Sequence, residues 1–256
     1  MCFFCYIIVM VKYMNKLSQL LLSGKNIVVI TGAGISTLSG IPDFRGKNGL
    51  YTKGNNVEYM LSRDYFLKNP EGFYQYYKDN MIMKGIKPNI VHNTLAELEH
   101  NGLISCVITQ NIDNLHQKAG SKNVIDIHGN GHKYYCTSCN ESYSCDDYIN
   151  SNICKKCGEI IRPDIVLYGE CIDQDKASRA INAIDNADVL IVLGTSLAVS
   201  TAGSLVQEFI YNKGDKFKKD NLVIVNNQET PFDYCAYKIE DDLGIVFNKI
   251  RKDIIK

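Results

Sequence analysis

A glycine turn near the N-terminus is the first segment that could bind a ligand. An apolar β-branched run ends at Thr31, and the segment Gly32–Ser36 (GAGIS) follows it. A glycine turn between a strand and a helix can bring backbone N–H groups against a phosphate. The turn departs from the dehydrogenase fingerprint G-x-G-x-x-G, because Thr37 occupies the third glycine position and the expected ribose-binding acid is missing. Such turns are common after strands, so this one alone does not define the function.

A loop directly after this turn combines three chemically distinct side chains. It runs from Gly40 to Gly46 and carries Asp43, Phe44 and Arg45. A plain surface loop seldom concentrates an acid, an aromatic ring and a guanidinium. Glycines at both ends permit a lid that closes over a ligand.

Two Cys-x-x-Cys pairs predict a metal site. They are Cys136 with Cys139, and Cys154 with Cys157. Four thiolates suit tetrahedral zinc with no open position, which favours a structural ion over a catalytic one. A nucleic-acid-binding ribbon is the alternative, but the acidic segment at 140–147 would repel phosphate. Cys145 lies outside the paired spacing and is interpreted as a bystander.

Polar residues follow several of the predicted strands. Gln110, Asn111 and Asp113 come after one strand, and His128 comes after another. Asn111 suits a helix N-cap and Asp113 a first helical turn, which is the purely structural interpretation. A lone histidine at a strand end is also more often structural than catalytic. The carboxyl ends of parallel strands nevertheless line the ligand crevice of such sheets, so both interpretations can hold together.

The order of predicted elements indicates an α/β protein with a doubly wound parallel, Rossmann-like sheet. Unbroken apolar runs are typical of strands covered on both faces, and amphipathic segments alternate with them. Predicted strands lie at 26–31, 105–109, 124–127, 164–168, 189–193 and 222–225, and predicted helices at 70–83, 90–100, 111–119 and 174–186.

Two long stretches interrupt this alternation and predict a smaller inserted domain. A helical insert is expected at 47–89 and a zinc-ribbon insert at 132–162. The sheet domain would then comprise 16–46, 90–131 and 163–256, preceded by an N-terminal extension at 1–15. The apolar run at 3–11 lacks the basic residues and cleavage site of a secretory signal, which favours an added strand or an upstream extension.

Composition excludes several classes of protein. The 256 residues carry 28 Lys+Arg and 28 Asp+Glu, so a general nucleic-acid binder is not expected. A hydrophobic fraction of 45% is too high for a disordered chain, and no run reaches the roughly 18 apolar residues of a membrane span. Ten cysteines without a secretory signal indicate a reducing compartment, so we expect the cytoplasm, with the nucleus as the alternative.

The motifs together resemble those of the sirtuins, the NAD-dependent protein-lysine deacylases. The resemblance covers about residues 16–250 and is closest to the bacterial and archaeal-like branch. It is carried, in chain order, by GAGISTLSGIPDFRG at 32–46, TQNID at 109–113, His128-Gly129, the two cysteine pairs, YGE at 168–170, GTS at 194–196 and VN at 225–226.

This resemblance implies roles for named residues. His128 would be the general base, with Asn111 as a second catalytic residue. One structural zinc ion would be bound by Cys136, Cys139, Cys154 and Cys157. NAD, the co-substrate, would be bound by Gly32, Ala33, Gly34, Ile35, Ser36, Asp43, Phe44, Arg45, Gln110, Asn111, Ile112, Asp113, Gly194, Thr195, Ser196, Asn226, Asn227 and Gln228. An acyl-lysine peptide would be bound by Val166, Tyr168, Gly169, Glu170 and Val199.

The reaction implied by the family transfers an acyl group from lysine to ADP-ribose and releases nicotinamide. Family members that prefer succinyl groups carry a Tyr-x-x-Arg pair, whereas this chain has Tyr74 and Tyr77, so acetyl or longer apolar acyl groups are expected. Lys78 could replace the arginine only if it turned inward. Two alternatives remain open: ADP-ribosyl transfer to a protein on the same fold, and a non-catalytic zinc-containing scaffold. A nucleic-acid or membrane partner is not expected.

Overall fold

The structure, a computed structural model, describes residues 15–43, 56–198 and 200–255. Strands and helices alternate along most of this length. In chain order they are α1 (Lys16–Leu21), β1 (Ile27–Thr31), a 3-10 helix (Ala33–Ser39), α2 (Val57–Met60), α3 (Arg63–Lys68), α4 (Pro70–Asn80), α5 (Ile90–His100), β2 (Cys106–Thr109), α6 (Leu115–Ala119), β3 (Val124–Asp126), β4 (Gly129–Cys136), β5 (Ser142–Tyr143), α7 (Cys145–Asn150), β6 (Ile161–Ile165), α8 (Gln174–Asn186), β7 (Val189–Leu193), α9 (Ser200–Lys213), two short 3-10 turns (Gly214–Lys216 and Lys219–Asn221), β8 (Leu222–Val225), β9 (Tyr237–Ile239) and α10 (Leu243–Ile254).

Six parallel strands form the main sheet, in the order β3-β2-β1-β7-β8-β9. The strand β1 is central and pairs with β2 on one side and β7 on the other, so that Val29 faces both Val107 and Ile191. After β1 the chain adds β2 and β3 on one side of it, and later adds β7, β8 and β9 on the other side. The boundary between β1 and β7 is therefore the topological switch point, where open α/β sheets bind ligands.

Both faces of this sheet are covered by helices, which explains why the four central strands β1, β2, β7 and β8 are buried along their whole length. Along β1, Ile27 and Val29 pack into one core, and Val28 and Ile30 pack into the other. Residues of α1, α5 and α10 complete the first core, and residues of α8 and α9 complete the second. This arrangement confirms the predicted doubly wound parallel sheet.

A second, smaller sheet is antiparallel, with the order β5-β4-β6. It shares an aromatic core with helices α2, α3, α4 and α7, in which Phe73, Tyr77 and Tyr148 are fully buried. Both inserted stretches therefore contribute to one core. The domain boundaries themselves remain predictions, and β6 crosses the predicted boundary between 162 and 163.

Several predicted elements differ from those in the structure. The segment predicted as a strand at 164–168 lies only partly in β6, which pairs with β4 in the small sheet instead of joining the parallel one. The helix expected from residue 111 begins at Leu115, because Asn114 has a left-handed backbone. The helix predicted at 70–83 ends at Asn80. The predicted elements do not include strands β4, β5 and β9 or helices α1, α7, α9 and α10.

No helix in the described ranges is long and apolar enough to cross a membrane. The predicted N-terminal extension lies outside the described residues except for Asn15. The side chain of Asn15 caps α1 by accepting a hydrogen bond from the backbone N–H of Ser18.

Gly129, at the start of β4, permits close contact between β4 and β6. Its φ is 87°, and a Cβ there would lie 2.2 Å from the carbonyl oxygen of Asp164. Gly85 has a similar φ of 76° but open space around it. We expect Gly129→Ala to lower the free energy of unfolding by about 2 kcal/mol more than Gly85→Ala, because only the former adds a clash to the backbone strain. Urea unfolding measures this difference, and equal losses would contradict the account.

Candidate active site

A cavity of about 610 Å³ lies at the carboxyl end of the parallel sheet, within the size range of cofactor and ligand sites. Its walls come from the ends of β1, β2, β7 and β8 and from the segment that follows β6. The predicted site residues that line it are Gly32, Ala33, Gly34, Asp43, Gln110, Asn111, Ile112, His128, Val166, Tyr168, Gly169, Glu170, Gly194, Thr195, Ser196, Asn226, Asn227 and Gln228.

The floor of the cavity is a contact between two backbone turns. The turn after β1 meets the turn after β7, where the Gly34 N–H donates to the carbonyl oxygen of Gly194 over 2.8 Å. A Cβ on Gly34 would lie 2.7 Å from that same oxygen, and a Cβ on Gly32 would lie 2.6 Å from the Cβ of Thr195. Only glycine permits this approach, so the two turns line the cavity with backbone free of side chains, which suits a pyrophosphate.

Two polar side chains that follow β2 bond to the two turns. The Asn111 amide donates to the carbonyl oxygen of Gly32 and to Ser36 Oγ, both over 3.1 Å. Gln110 Nε2 donates to Thr195 Oγ1 over 3.0 Å. Both hydrogens of the Asn111 amide nitrogen are thus used within the protein. Its Oδ1 is the atom suited to accept a hydrogen bond from a ligand hydroxyl.

His128 lines the same cavity, immediately before β4. Its Nδ1 lies 3.1 Å from the carbonyl oxygen of Gln110. A carbonyl can only accept, so Nδ1 carries the proton and Nε2 is the basic nitrogen of the neutral ring. Burial lowers the pKa of His128, and the hydrogen bond to Gln110 offsets this only in part. The imidazole is therefore neutral at physiological pH, as a general base requires.

Three predicted cofactor-binding residues do not line the described cavity. Ile35 is buried in the core below the turn. Ser36 is also buried, and it donates to Asp113 over 2.6 Å. Asp113 additionally accepts from the N–H of Leu115, so its carboxylate caps α6 and supports the turn. The predicted residues Phe44, Arg45 and Val199 lie outside the described residues.

The cavity also has an apolar part that the sequence analysis missed. Its walls are formed by side chains from segments that are far apart in the sequence, including the helical insert, the β6 region and α10, so no local motif predicts them. These residues are Leu38, Leu61, Met81, Ile165, Leu167, Ile172 and Leu243, and the polar residues Thr37, Thr201 and Asp242 were also missed. Asp242 alone had a local signal, because it is a good N-cap residue and its side chain caps α10.

The four paired cysteines converge at the edge of the small sheet. The sulfurs of Cys136, Cys139, Cys154 and Cys157 all lie within 4.8 Å of one another. Cys136 and Cys157 are 3.4 Å apart, and Cys139 and Cys154 are 3.6 Å apart. Zn–S bonds of about 2.3 Å in a tetrahedron need sulfurs slightly under 4 Å apart, so the cluster fits a structural zinc ion.

Comparison with known proteins agrees with this geometry. A family model described as the Sir2 family matches residues 32–201. The NAD-dependent protein deacetylase of Staphylococcus aureus is 44% identical over 244 residues, which cover 93% of this chain and 97% of the relative. That of Clostridium tetani is 42% identical, covering 94% and 98%.

The chain belongs to the Sir2 family. A solved Sir2 complex with a p53 peptide and NAD⁺ superimposes with a TM-score of 0.83 at 42% identity, covering 94% of this chain and 98% of that one. A Sir2 structure bound to a propionylated peptide gives a TM-score of 0.82 at 40% identity, covering 94% and 98%. The resemblance to sirtuins is confirmed.

This Sir2-family chain buries two histidines beneath the glycine turn. The rings of His92 and His116 meet edge to face at 5.0 Å, and His116 Nε2 lies 3.0 Å from Thr31 Oγ1 at the end of β1. Within the described part of the chain, His92 Nε2 and His116 Nδ1 are buried without a hydrogen-bond partner. Burial lowers the pKa of His92 to about 4 and that of His116 to about 3.

Zinc binding should depend on the four clustered cysteines and not on Cys145, which lies nearby on α7. We expect elemental analysis to find one zinc ion per chain in the wild type and in Cys145→Ala, but almost none in Cys139→Ala. Loss of the metal should also destabilise the small domain by several kcal/mol, because metal binding is coupled to folding. Zinc retained in Cys139→Ala would contradict the assignment.

The buried histidine pair should make the fold acid-sensitive. Histidines in the unfolded chain titrate near pH 6.5, so the unfolded state binds more protons below that pH. The stability that depends on keeping these two histidines neutral is fully present above pH 6.5 and is lost as the pH falls towards 4. The free energy of unfolding falls by up to about 1.4 kcal/mol per pH unit for each histidine. Urea unfolding between pH 7 and 5 should show a shallower loss in His92→Gln than in the wild type or in His100→Gln, which changes an exposed histidine. An equal loss of the free energy of unfolding with falling pH in the wild type and both variants would contradict this.

Proposed function

We propose that the chain is an NAD-dependent protein-lysine deacylase. It transfers the acyl group of a modified lysine to ADP-ribose and produces nicotinamide, O-acyl-ADP-ribose and free lysine. The observation that carries this proposal is the placement of a neutral, half-buried His128 on the wall of the cavity whose floor is the glycine contact. A dinucleotide on that floor and a base beside it are what the reaction needs. The deacetylases of S. aureus and C. tetani support the same activity.

The cavity fits NAD by its size and by its donors. Gly32, Gly34 and Gly194 let the two turns pack together as the cavity floor, because a side chain at any of them would collide with the facing backbone or with Thr195. Backbone packed in this way can lie close to a pyrophosphate. Asn226, after β8, donates to the carbonyl oxygen of Thr195 and places an amide at the cavity wall. A neutral amide can bind a ribose hydroxyl where dehydrogenases use an acid. When bound, NAD supplies an electrophilic ribose carbon from which nicotinamide can leave.

His128 and Asn111 act on the ribose in this proposal. The bond from His128 Nδ1 to Gln110 fixes the ring and the tautomer, so Nε2 can take a proton from a ribose hydroxyl. Asn111 uses its Oδ1 to orient a ribose hydroxyl or an attacking group. The position of Asp43 at the cavity rim suits a role in closing the site, together with Phe44 and Arg45.

The protein substrate is an acyl-lysine segment bound beside the loop at 166–170. Met81, Ile112 and Leu167 give the lysine end of the cavity an apolar lining that suits an acetyl or longer apolar acyl group. The position where succinyl-preferring relatives carry arginine is Tyr77, which is fully buried in the small-domain core. Lys78 Nζ lies 4.8 Å from the centre of the Tyr74 ring. The chain therefore lacks the arginine that would bind the carboxylate of a succinyl group.

A reducing compartment such as the cytoplasm suits four thiolates that must stay reduced to bind zinc.

The activity is tested with a panel of peptides carrying acetyl, propionyl, longer apolar or succinyl lysine, with and without NAD. We expect NAD-dependent loss of the acyl group and formation of O-acyl-ADP-ribose by mass spectrometry, with succinyl the slowest. Adenine-labelled NAD should leave its label on this small product. Label transferred to protein instead would favour ADP-ribosyl transfer, and no reaction with any peptide would reject the proposal.

The base is tested by His128→Ala. We expect kcat to fall about 10²–10⁴-fold, which is the usual contribution of a positioned base, while zinc content and unfolding stay close to wild type. His100→Ala, at an exposed position, is the matched control and should keep full activity. Turnover retained in His128→Ala would show that another group is the base.

A further inference from the structure

The loop at 166–170 is held on its outer side by the helical insert. The Tyr168 N–H donates to the carbonyl oxygen of Leu61, and the Arg63 N–H donates to the carbonyl oxygen of Tyr168. These bonds account for the backbone of Tyr168, while Gly169 and Glu170 continue along the cavity wall. What fixes the remainder of the loop is a buried ion pair.

Arg162 on β6 is the cation of this pair and is almost fully buried, with 9% of its side chain exposed. Its two terminal nitrogens contact both carboxylate oxygens of Glu170, at 2.6 and 3.0 Å. The same guanidinium donates to the backbone carbonyls of Ile165, over 2.8 Å, and Pro163, over 3.3 Å. It also lies 5.1 Å from the centre of the Phe66 ring on α3.

Glu170 closes the loop from the other end. Besides its two contacts with Arg162, its carboxylate accepts a hydrogen bond from the N–H of Leu167 over 2.9 Å. The Glu170 N–H donates to the Leu167 carbonyl oxygen, also over 2.9 Å. The pair therefore ties the end of β6 to the end of the loop, across the residues that line the lysine end of the cavity. Both carboxylate oxygens are used within the protein, so Glu170 is suited to hold the loop in place.

We propose that Arg162 is a positioning residue that sets the loop at 166–170 for peptide binding. This role rests on the proposed deacylase function. A planar guanidinium with a fixed fork defines the loop geometry more narrowly than apolar packing does. A buried ion pair is weak evidence for added stability, because desolvation of both charges offsets their attraction. The geometry of the loop, rather than stability, is thus the property that the pair is suited to provide.

The test compares steady-state constants of the zinc-loaded enzyme for an acetylated peptide and for NAD. Arg162→Gln should raise the peptide KM by about 10-fold or more, with the NAD KM within about twofold of wild type. Arg162→Lys keeps the charge but lacks the fork, so it should raise the peptide KM by several-fold and serves if the first variant folds poorly. The control is Arg179→Gln, which changes an exposed arginine 3.9 Å from Asp175 on α8, and it should match wild type.

A double-mutant cycle tests whether Glu170 acts through Arg162. If it does, Arg162→Gln combined with Glu170→Gln should raise the peptide KM no more than about twofold beyond Arg162→Gln alone. If the double variant instead raises the peptide KM by the product of the two separate increases, Glu170 contacts the peptide independently and the proposal is overturned.

An active wild type together with an unchanged peptide KM in both Arg162 variants would also overturn it. So would an equal rise in both KM values, which indicates general loss of structure. A wild type inactive on every peptide would instead reject the deacylase function, and this role with it.

Discussion

The site depends on the direct contact between two backbone turns at the centre of the sheet. Gly34 donates to Gly194 where the turns after β1 and β7 meet, and any side chain at either glycine would collide with the facing backbone. The contact lies at the switch point of the doubly wound sheet, where neighbouring connections diverge and leave a crevice. Around it, Asn111, Gln110 and Thr195 complete a polar wall whose hydrogen bonds connect the two turns.

The second organising feature is the connection from the parallel sheet to the small antiparallel sheet, which passes through His128 between β3 and β4. One side of this residue is bound by Gln110, at the end of β2. On the other side its carbonyl oxygen accepts from the N–H of Val166, just after β6. His128, the proposed base, is therefore held between the glycine-lined crevice and the loop at 166–170.

The sequence was sufficient for those features that depend on local pattern. The apolar runs gave β1, β2, β7 and β8 nearly to the residue, and the cysteine spacing gave the zinc cluster. Features that depend on distant partners were not accessible. The apolar run at 164–168 is similar to a strand of the parallel sheet, but β6 begins at Ile161 and contains Arg162 and Pro163, which are atypical of a central strand. Its pairing with β4 depends on a distant and irregular partner, so the sequence pattern alone does not predict it. Likewise, Arg162 and Glu170 are ordinary charged residues until folding pairs them. The bonds of Asp113 to Ser36 and to the N–H of Leu115 also depend on the folded arrangement.

Calorimetric titration of the zinc-loaded protein with NAD, in the absence of peptide, tests most directly whether the contact between the turns forms a dinucleotide site. The account predicts saturable binding of one NAD per chain, with ADP-ribose competing and free nicotinamide unable to displace it at similar concentrations. It also predicts that binding is lost when an alanine at position 34 separates the two turns. Absence of binding by the folded wild type, or full affinity in the Gly34→Ala protein, would contradict it.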